Sequence, residues 1–320
     1  MINDSSMKDS DFPQPNDPIR PRNSFIAALL SLLIPGLGQI YCGRARRGFT
    51  QLVFLVVCET LVVKFGLFFY FYGLVVFVLA DLVIRIYVIV DAVRLSRNQA
   101  PYQLKWYNTW YYHGLIGVGI FAILFVKGSL IPIGFKTFII PTTSMEPTLK
   151  LGDWIVADMR PAPNRELTYG DIVVYQPTDL REVHPCRVVG LPGDTLELQN
   201  DFLIINGKPT ERVLIRELYT EPAIASYIGP ETEEYAETFA NGRTVHVFKS
   251  KKLPDNNQAK QNISKVVLPP GQYCLLGDNR DNAADSRYRG FVPRENILGF
   301  VCYSYWGKTH ARINISFRNK

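Results

Sequence analysis

Hydrophobic and polar positions follow two different patterns along the chain. Over residues 24–134 Leu, Val, Ile, Phe and Gly run with few breaks, whereas from Pro141 onward apolar and polar residues alternate in short stretches separated by turns. Long apolar runs predict membrane helices, and period-two alternation predicts half-buried strands. A helix needs ~20 apolar residues to cross a bilayer. The run 49–95 therefore holds two crossings, turning near KFGLFFYFYG, and 114–135 holds a third. The first run, SFIAALLSLLIPGLGQIYCG, is interrupted by Pro35, Gly36 and Gly38. Such breaks favour a re-entrant hairpin over a full crossing.

Charge orients these elements. The net charge of +6 gathers partly beside the apolar runs, at Arg20 and Arg22, at Arg44, Arg46 and Arg47, and at Arg94, Arg97 and Lys105. Basic flanks stay in the cytoplasm, so three crossings leave everything after Thr137 outside. The clusters suit topology signalling rather than nucleic-acid binding. Residues 1–23 are polar and Pro-rich, without a short apolar stretch ending in a cleavage site, so no removable signal is expected there. The expected organisation is a disordered cytoplasmic tail at 1–23, a membrane module at 24–112 and a transmembrane helix at 113–136. An extracytoplasmic domain follows at 137–320, with a β insertion at about 195–270. Glu59, Asp81 and Arg85 lie inside apolar runs. Asp81 and Arg85, four apart on one helix, are expected to pair.

Chemistry concentrates in four stretches: FIIPTTSMEPTLKLGDWIVAD, YGDIVVYQPTD, CRVVGLPGDTLEL and LLGDNRDNAADSRYRGFVP. In this order and spacing they resemble the sequence boxes of bacterial type I signal peptidases, over about 138–301. The resemblance implies a mainly β catalytic domain of coiled, barrel-like antiparallel sheets with a smaller β cap. It implies a membrane-bound serine endopeptidase of the inner membrane that cleaves signal peptides from exported preproteins at small-x-small sites. Preproteins, the lipid bilayer and the export translocon are the implied partners, with no nucleic acid, cofactor or metal. Ser144 matches the nucleophile, and Thr142 the hydroxyl that joins the Ser144 N–H in an oxyanion hole. Ile139, Ile140 and Met145 match the substrate strand and the floor of the site. Arg187, Asp278, Asp285 and Arg287 match charged residues that brace it. Earlier in the chain, IPGLGQIYCGRARRGFTQL resembles small bacterial membrane modules of the TM2 type, which assigns no chemistry.

The resemblance breaks at two positions. Relatives carry a lysine base directly before the Arg of RVVGLPGD, where this chain has Cys186. They also carry a serine that hydrogen-bonds this lysine, where this chain has Ala283. Three readings of the base follow. His184 shares a strand face with Cys186, about 7 Å along, and endoplasmic-reticulum relatives use His where bacteria use Lys. Against this, Pro185 interrupts the strand. Cys186 itself could serve as a thiolate, although a thiol with a pKa near ~8.5 is only slightly ionised at neutral pH. The third reading is a catalytically impaired homologue that binds signal peptides or acts as a membrane adaptor. Three of the five cysteines, Cys186, Cys274 and Cys302, fall outside the membrane half. An odd number leaves at least one thiol free unless it pairs between chains.

Overall fold

A computed structural model describes residues 22–97, 119, 134–160, 166–199, 202–217, 232–250 and 262–317. The chain divides into two compact units, Met1–Phe68 with Tyr72–Ile133 and Phe69–Phe71 with Gly134–Lys320. Residues 1–21 of the expected tail lie outside the described residues, as does the third apolar run apart from Gly119 and 134–136. That run was expected to remain helical to 136. Instead Gly134 takes a φ of +63° and a strand begins at Phe135.

The first unit is helical. Helices α1 (Ser24–Leu33) and α2 (Leu37–Tyr41) are joined by an elbow at Pro35 and Gly36, and α3 (Ala45–Phe65) and α4 (Phe71–Arg97) follow. Asn23 caps α1 by accepting the N–H of Phe25 at 2.8 Å, which supplies a partner for a first-turn donor. At 1.5 Å per residue, α1 with its 10 residues falls well short of a ~30 Å hydrocarbon core. By contrast α3 and α4 are each long and apolar enough to cross a membrane.

The Pro-Gly-x-Gly-Gln pattern folds the elbow. Gly36 adopts a φ of +94°, and a Cβ there would lie 2.2 Å from the Gly48 carbonyl oxygen. Only glycine satisfies both conditions. Gln39 is buried and donates to the Val88 carbonyl at 2.7 Å and to Asp91 at 3.2 Å. Arg47 and Gln51 complete the carboxylate's partners at 2.5 and 3.0 Å. This shared acid ties α2, α3 and α4 together. Farther along, Arg85 donates to Asp81 at 2.7 Å and lies 3.9 Å from Glu59.

The second unit is built from antiparallel strands: β1 (Phe135–Ile139), β2 (Trp154–Asp158), β3 (Ile172–Tyr175), β4 (His184–Gly190), β5 (Thr195–Gln199), β6 (Phe202–Ile205), β7 (Lys208–Pro209), β8 (Glu211–Arg216), β9 (Thr232–Thr238), β10 (Thr244–Ser250), β11 (Ile263–Val267), β12 (Gln272–Leu276), β13 (Val292–Pro293), β14 (Ile297–Trp306) and β15 (Ile315–Ser316). The main sheet runs β1-β2-β14-β3-β4-β12-β13, with β15 beside β14. Strand alternation gives it two apolar faces. Ile172 and Val174 of β3 pack with Met145, Leu149 and Ile155, while Val173 and Tyr175 pack with Cys186, Val188 and Leu275.

Between β4 and β12 the chain builds a cap from two smaller sheets, β11-β5-β6-β7 and β10-β9-β8. Its core of Leu196, Leu198, Leu203, Val245 and Val247 closes on Val189 and Leu276 of the main sheet. The β6–β7 turn places Asn206 and Gly207 at φ 52° and 77°, the paired left-handed conformation that a two-residue hairpin requires. All five cysteines are free.

Candidate active site

Residues 140–153 connect β1 to β2, and this loop carries Ser144. Its ends are held by ladder-like bonds from Ile140 N–H to the Asp153 carbonyl and from Gly152 N–H to the Ile140 carbonyl, at 2.9 and 2.8 Å. Its middle is anchored by Met145, which is fully buried, and by the bond from Leu149 N–H to the Met145 carbonyl. Between these anchors Ser144 Oγ lies 3.1 Å from Thr142 Oγ1. The expected nucleophile and a second hydroxyl are thus presented together.

A second loop, after β12, fixes the first from behind. Asn279 gives its N–H to the Ser144 carbonyl and its amide to the Thr143 carbonyl, both at 3.1 Å. Asn282 donates to Thr143 Oγ1 at 2.7 Å. Gly277 makes the approach possible, since a Cβ there would meet the Ser144 carbonyl oxygen at 2.7 Å and the Ala283 methyl at 2.3 Å. The sequence boxes contain all three residues. Only their position against the serine loop shows what they do.

The four expected bracing residues form two separate buried ion pairs. Arg187 contacts both oxygens of Asp278 at 2.6 Å and also donates to the Gly170 carbonyl and to Thr148. Arg287 contacts both oxygens of Asp285, at 2.8 and 2.7 Å. Asp285 in turn accepts the Gly277 N–H at 2.9 Å and caps the short helix α5 (Ser286–Arg289). Paired bidentate bonds satisfy these buried charges. A third pair joins Arg280 to Glu237 of β9, fixing the serine-supporting loop to the cap. The alternation of the sequence shows no sign of that last contact, because its partners lie on separate sheets.

One cavity of about 570 Å³ collects Thr142, Ser144, His184, Cys186 and Ala283 on its walls. Pro185 does not divert His184. Strand β4 runs through it in register, with His184 opposite Tyr175 and Cys186 opposite Val173. The pairing of β12 begins only at Arg187, so the missing proline N–H falls where no ladder bond is required. The two candidate bases differ in their surroundings. Cys186 is 4% exposed and packs in the apolar face of the sheet. Burial first, and Asp285 next, push its thiol well above its ordinary value, so it stays protonated at neutral pH. His184 keeps its Nε2 buried without a hydrogen-bond partner. Burial, then the charge of Arg289, lower its pKa against the opposing pull of Glu182 and Asp179. His184 and Ser144 line the same cavity without a hydrogen bond between them, and a neutral imidazole can accept a proton from a hydroxyl that comes within hydrogen-bond reach.

The substrate-strand candidates separate in the same way. Ile139 is 53% exposed on β1, which among the described residues pairs with β2 alone and forms one edge of the main sheet. Ile140 and Met145 are buried in the core, and neither is among the residues that line the cavity.

A family model described as signal peptidase, peptidase S26, matches residues 113–306. The chain belongs to the signal peptidase family, peptidase S26. Signal peptidase I of Rickettsia typhi is 34% identical over 219 residues, covering 58% of this chain and 80% of the relative. Signal peptidase IB of Staphylococcus aureus is 31% identical over 199 residues, covering 62% of this chain and 91% of the relative. The family match takes in the Ser144 loop, β4 and the loop after β12. It ends at Trp306, the last residue of β14.

Proposed function

We propose that this chain is a membrane-bound serine endopeptidase that removes N-terminal signal peptides from exported preproteins, with His184 in the place of the family's lysine. The carrying observation is that His184 shares the cavity of Ser144 with its Nε2 unpartnered, while Cys186 is buried in the apolar face of the sheet, which pushes its thiol pKa up. Ser144 Oγ attacks the scissile carbonyl as His184 takes its proton, and the protonated imidazole then supplies a proton to the leaving amine. The Ser144 N–H and the Thr142 hydroxyl stabilise the oxyanion.

The signal peptide adds as a strand along the open edge of β1 beside Ile139, a mode that draws affinity from backbone hydrogen bonds. Helices α3 and α4 hold the enzyme in the inner membrane as part of a multi-pass anchor. Their arginine-rich ends face the cytoplasm, and the catalytic unit lies on the other side, near the translocon from which preproteins emerge.

The test is cleavage of a preprotein with a small-x-small site by the purified full chain in a host-free membrane mimetic. Ser144→Ala abolishes cleavage on this reading, and an unchanged rate overturns it. A parent protein that binds the signal peptide without cutting it establishes the impaired, adaptor-type homologue instead.

A further inference from the structure

One end of the helical module carries positive charge that the described residues do not neutralise. Ser96 Oγ donates to Ser24 Oγ at 2.8 Å, Cys42 Sγ to the Ala92 carbonyl at 3.7 Å, and Arg47 to Asp91 at 2.5 Å. These contacts bring together the start of α1, the α2–α3 connection and the last turns of α4. Arg44, Arg46, Arg94 and Arg97 all sit at this end and are exposed. None of the four makes an ion pair or side-chain hydrogen bond among the described residues. The first turn of α3 holds no acidic residue, and neither does that of α1. Among the described residues the one carboxylate nearby, Asp91, is buried and already engaged by Arg47, Gln39 and Gln51.

Exposed apolar side chains begin within one turn of these arginines. Phe49 follows Arg46 by three positions on α3, Val90 precedes Arg94 by four on α4, and Phe25 is 74% exposed at the start of α1. The basic rim therefore borders the apolar belt of α3 and α4, at the depth where lipid phosphates lie. All four residues are arginine, whose planar fork matches phosphate oxygens in pairs. A soluble acidic peptide would match the charge but would leave the adjoining apolar surface uncovered.

We propose that this arginine rim binds the headgroup phosphates of anionic phospholipids. The site is independent of the catalytic cavity and of the assignment of its base. Its consequence is a lipid preference of the anchor: the module holds an annulus richer in anionic lipid than the surrounding bilayer.

The experiment places the full chain in bilayers of phosphatidylcholine and phosphatidylglycerol, with a spin-labelled form of either lipid reporting the fraction held at the protein surface. The parent protein favours phosphatidylglycerol by ~5-fold or more, the contribution of even one basic residue near the surface, and added salt erodes the preference. Replacing the four arginines by glutamine abolishes it, while replacing them by lysine retains most of it. Arg47 is left in place because it holds Asp91. Equal retention of both lipids by the parent protein, or an undiminished preference in the glutamine variant, overturns the proposal. Loss of the preference on adding inorganic phosphate at constant ionic strength also overturns it, because the site would then take free phosphate rather than a headgroup.

Discussion

Asn279 receives the serine loop with two bonds at once, its N–H on the carbonyl of Ser144 and its amide on that of Thr143. Asn279 is fully buried, so these bonds fix the backbone that sets the direction of Ser144 Oγ. A misplacement of about 1 Å at a reacting atom costs on the order of 10²-fold in rate. Gly277 permits the same approach by having no side chain.

Asn279→Ala and Gly277→Ala should therefore each lower kcat on preprotein by about 10²-fold with little change in KM. Stability should fall by ~1–3 kcal/mol, through the orphaned Thr143 carbonyl in the first variant, whose backbone N–H still reaches Ser144, and overpacking in the second. Steady-state kinetics and denaturant unfolding on the same preparation check both effects. Parental kcat in Gly277→Ala would show that the close packing against Ser144 carries no catalytic weight.

The cap contributes through Arg280 and Glu237, a buried pair joining the serine-supporting loop to β9. Burial alone would raise the Glu237 pKa, but Arg280 and Arg212 hold it below its ordinary 4.5. The carboxylate is thus more acidic folded than unfolded. Its stabilising contribution is full above pH 4.5 and is lost as pH falls below it. Glu237→Gln should cost ~3–5 kcal/mol at neutral pH by leaving Arg280 buried and unpaired. The difference from the parent should shrink in acid, as unfolding measured across pH will show.

Restoring the family's residues at Cys186 and Ala283 separates a site without a base from one that already has one. A missing base would give Cys186→Lys with Ala283→Ser a gain of ~10²–10⁴-fold. With His184 in service the gain should be small. Single-turnover cleavage by parent and double variant distinguishes the two.

Much of this arrangement was legible before the structure. The two regimes of the chain, the β architecture with its inserted cap, and the stretches carrying Ser144, Arg187 and Asp285 all follow from local pattern and ordered motifs. The Asp81–Arg85 pair followed from helical spacing alone. The path of β4 through Pro185 was not legible, because a proline's tolerance depends on which neighbouring strand lacks a partner at that residue. Nor was the contrast between Cys186 and His184, since burial is a property of the packed sheet rather than of the dipeptide between them. Asn279, Asn282 and Gly277 stood inside a recognised motif. Their work became visible only when the loop after β12 was seen against the serine loop, more than a hundred residues away in sequence.

The direct measurement is preprotein cleavage by the full chain and its His184→Ala variant across pH, with Ser144→Ala as the blank. With His184 as the base, neutral imidazole is the working form, and folding lowers its pKa below the ordinary 6.5. The parent should therefore keep its activity as pH falls to 6.5 and lose it only below that value. His184→Ala should lose ~10²–10⁴-fold at neutral pH and lose the acidic limb of the profile with it. A His184→Ala protein that cleaves at the parental rate, with the parental pH profile, would contradict the assignment of the base.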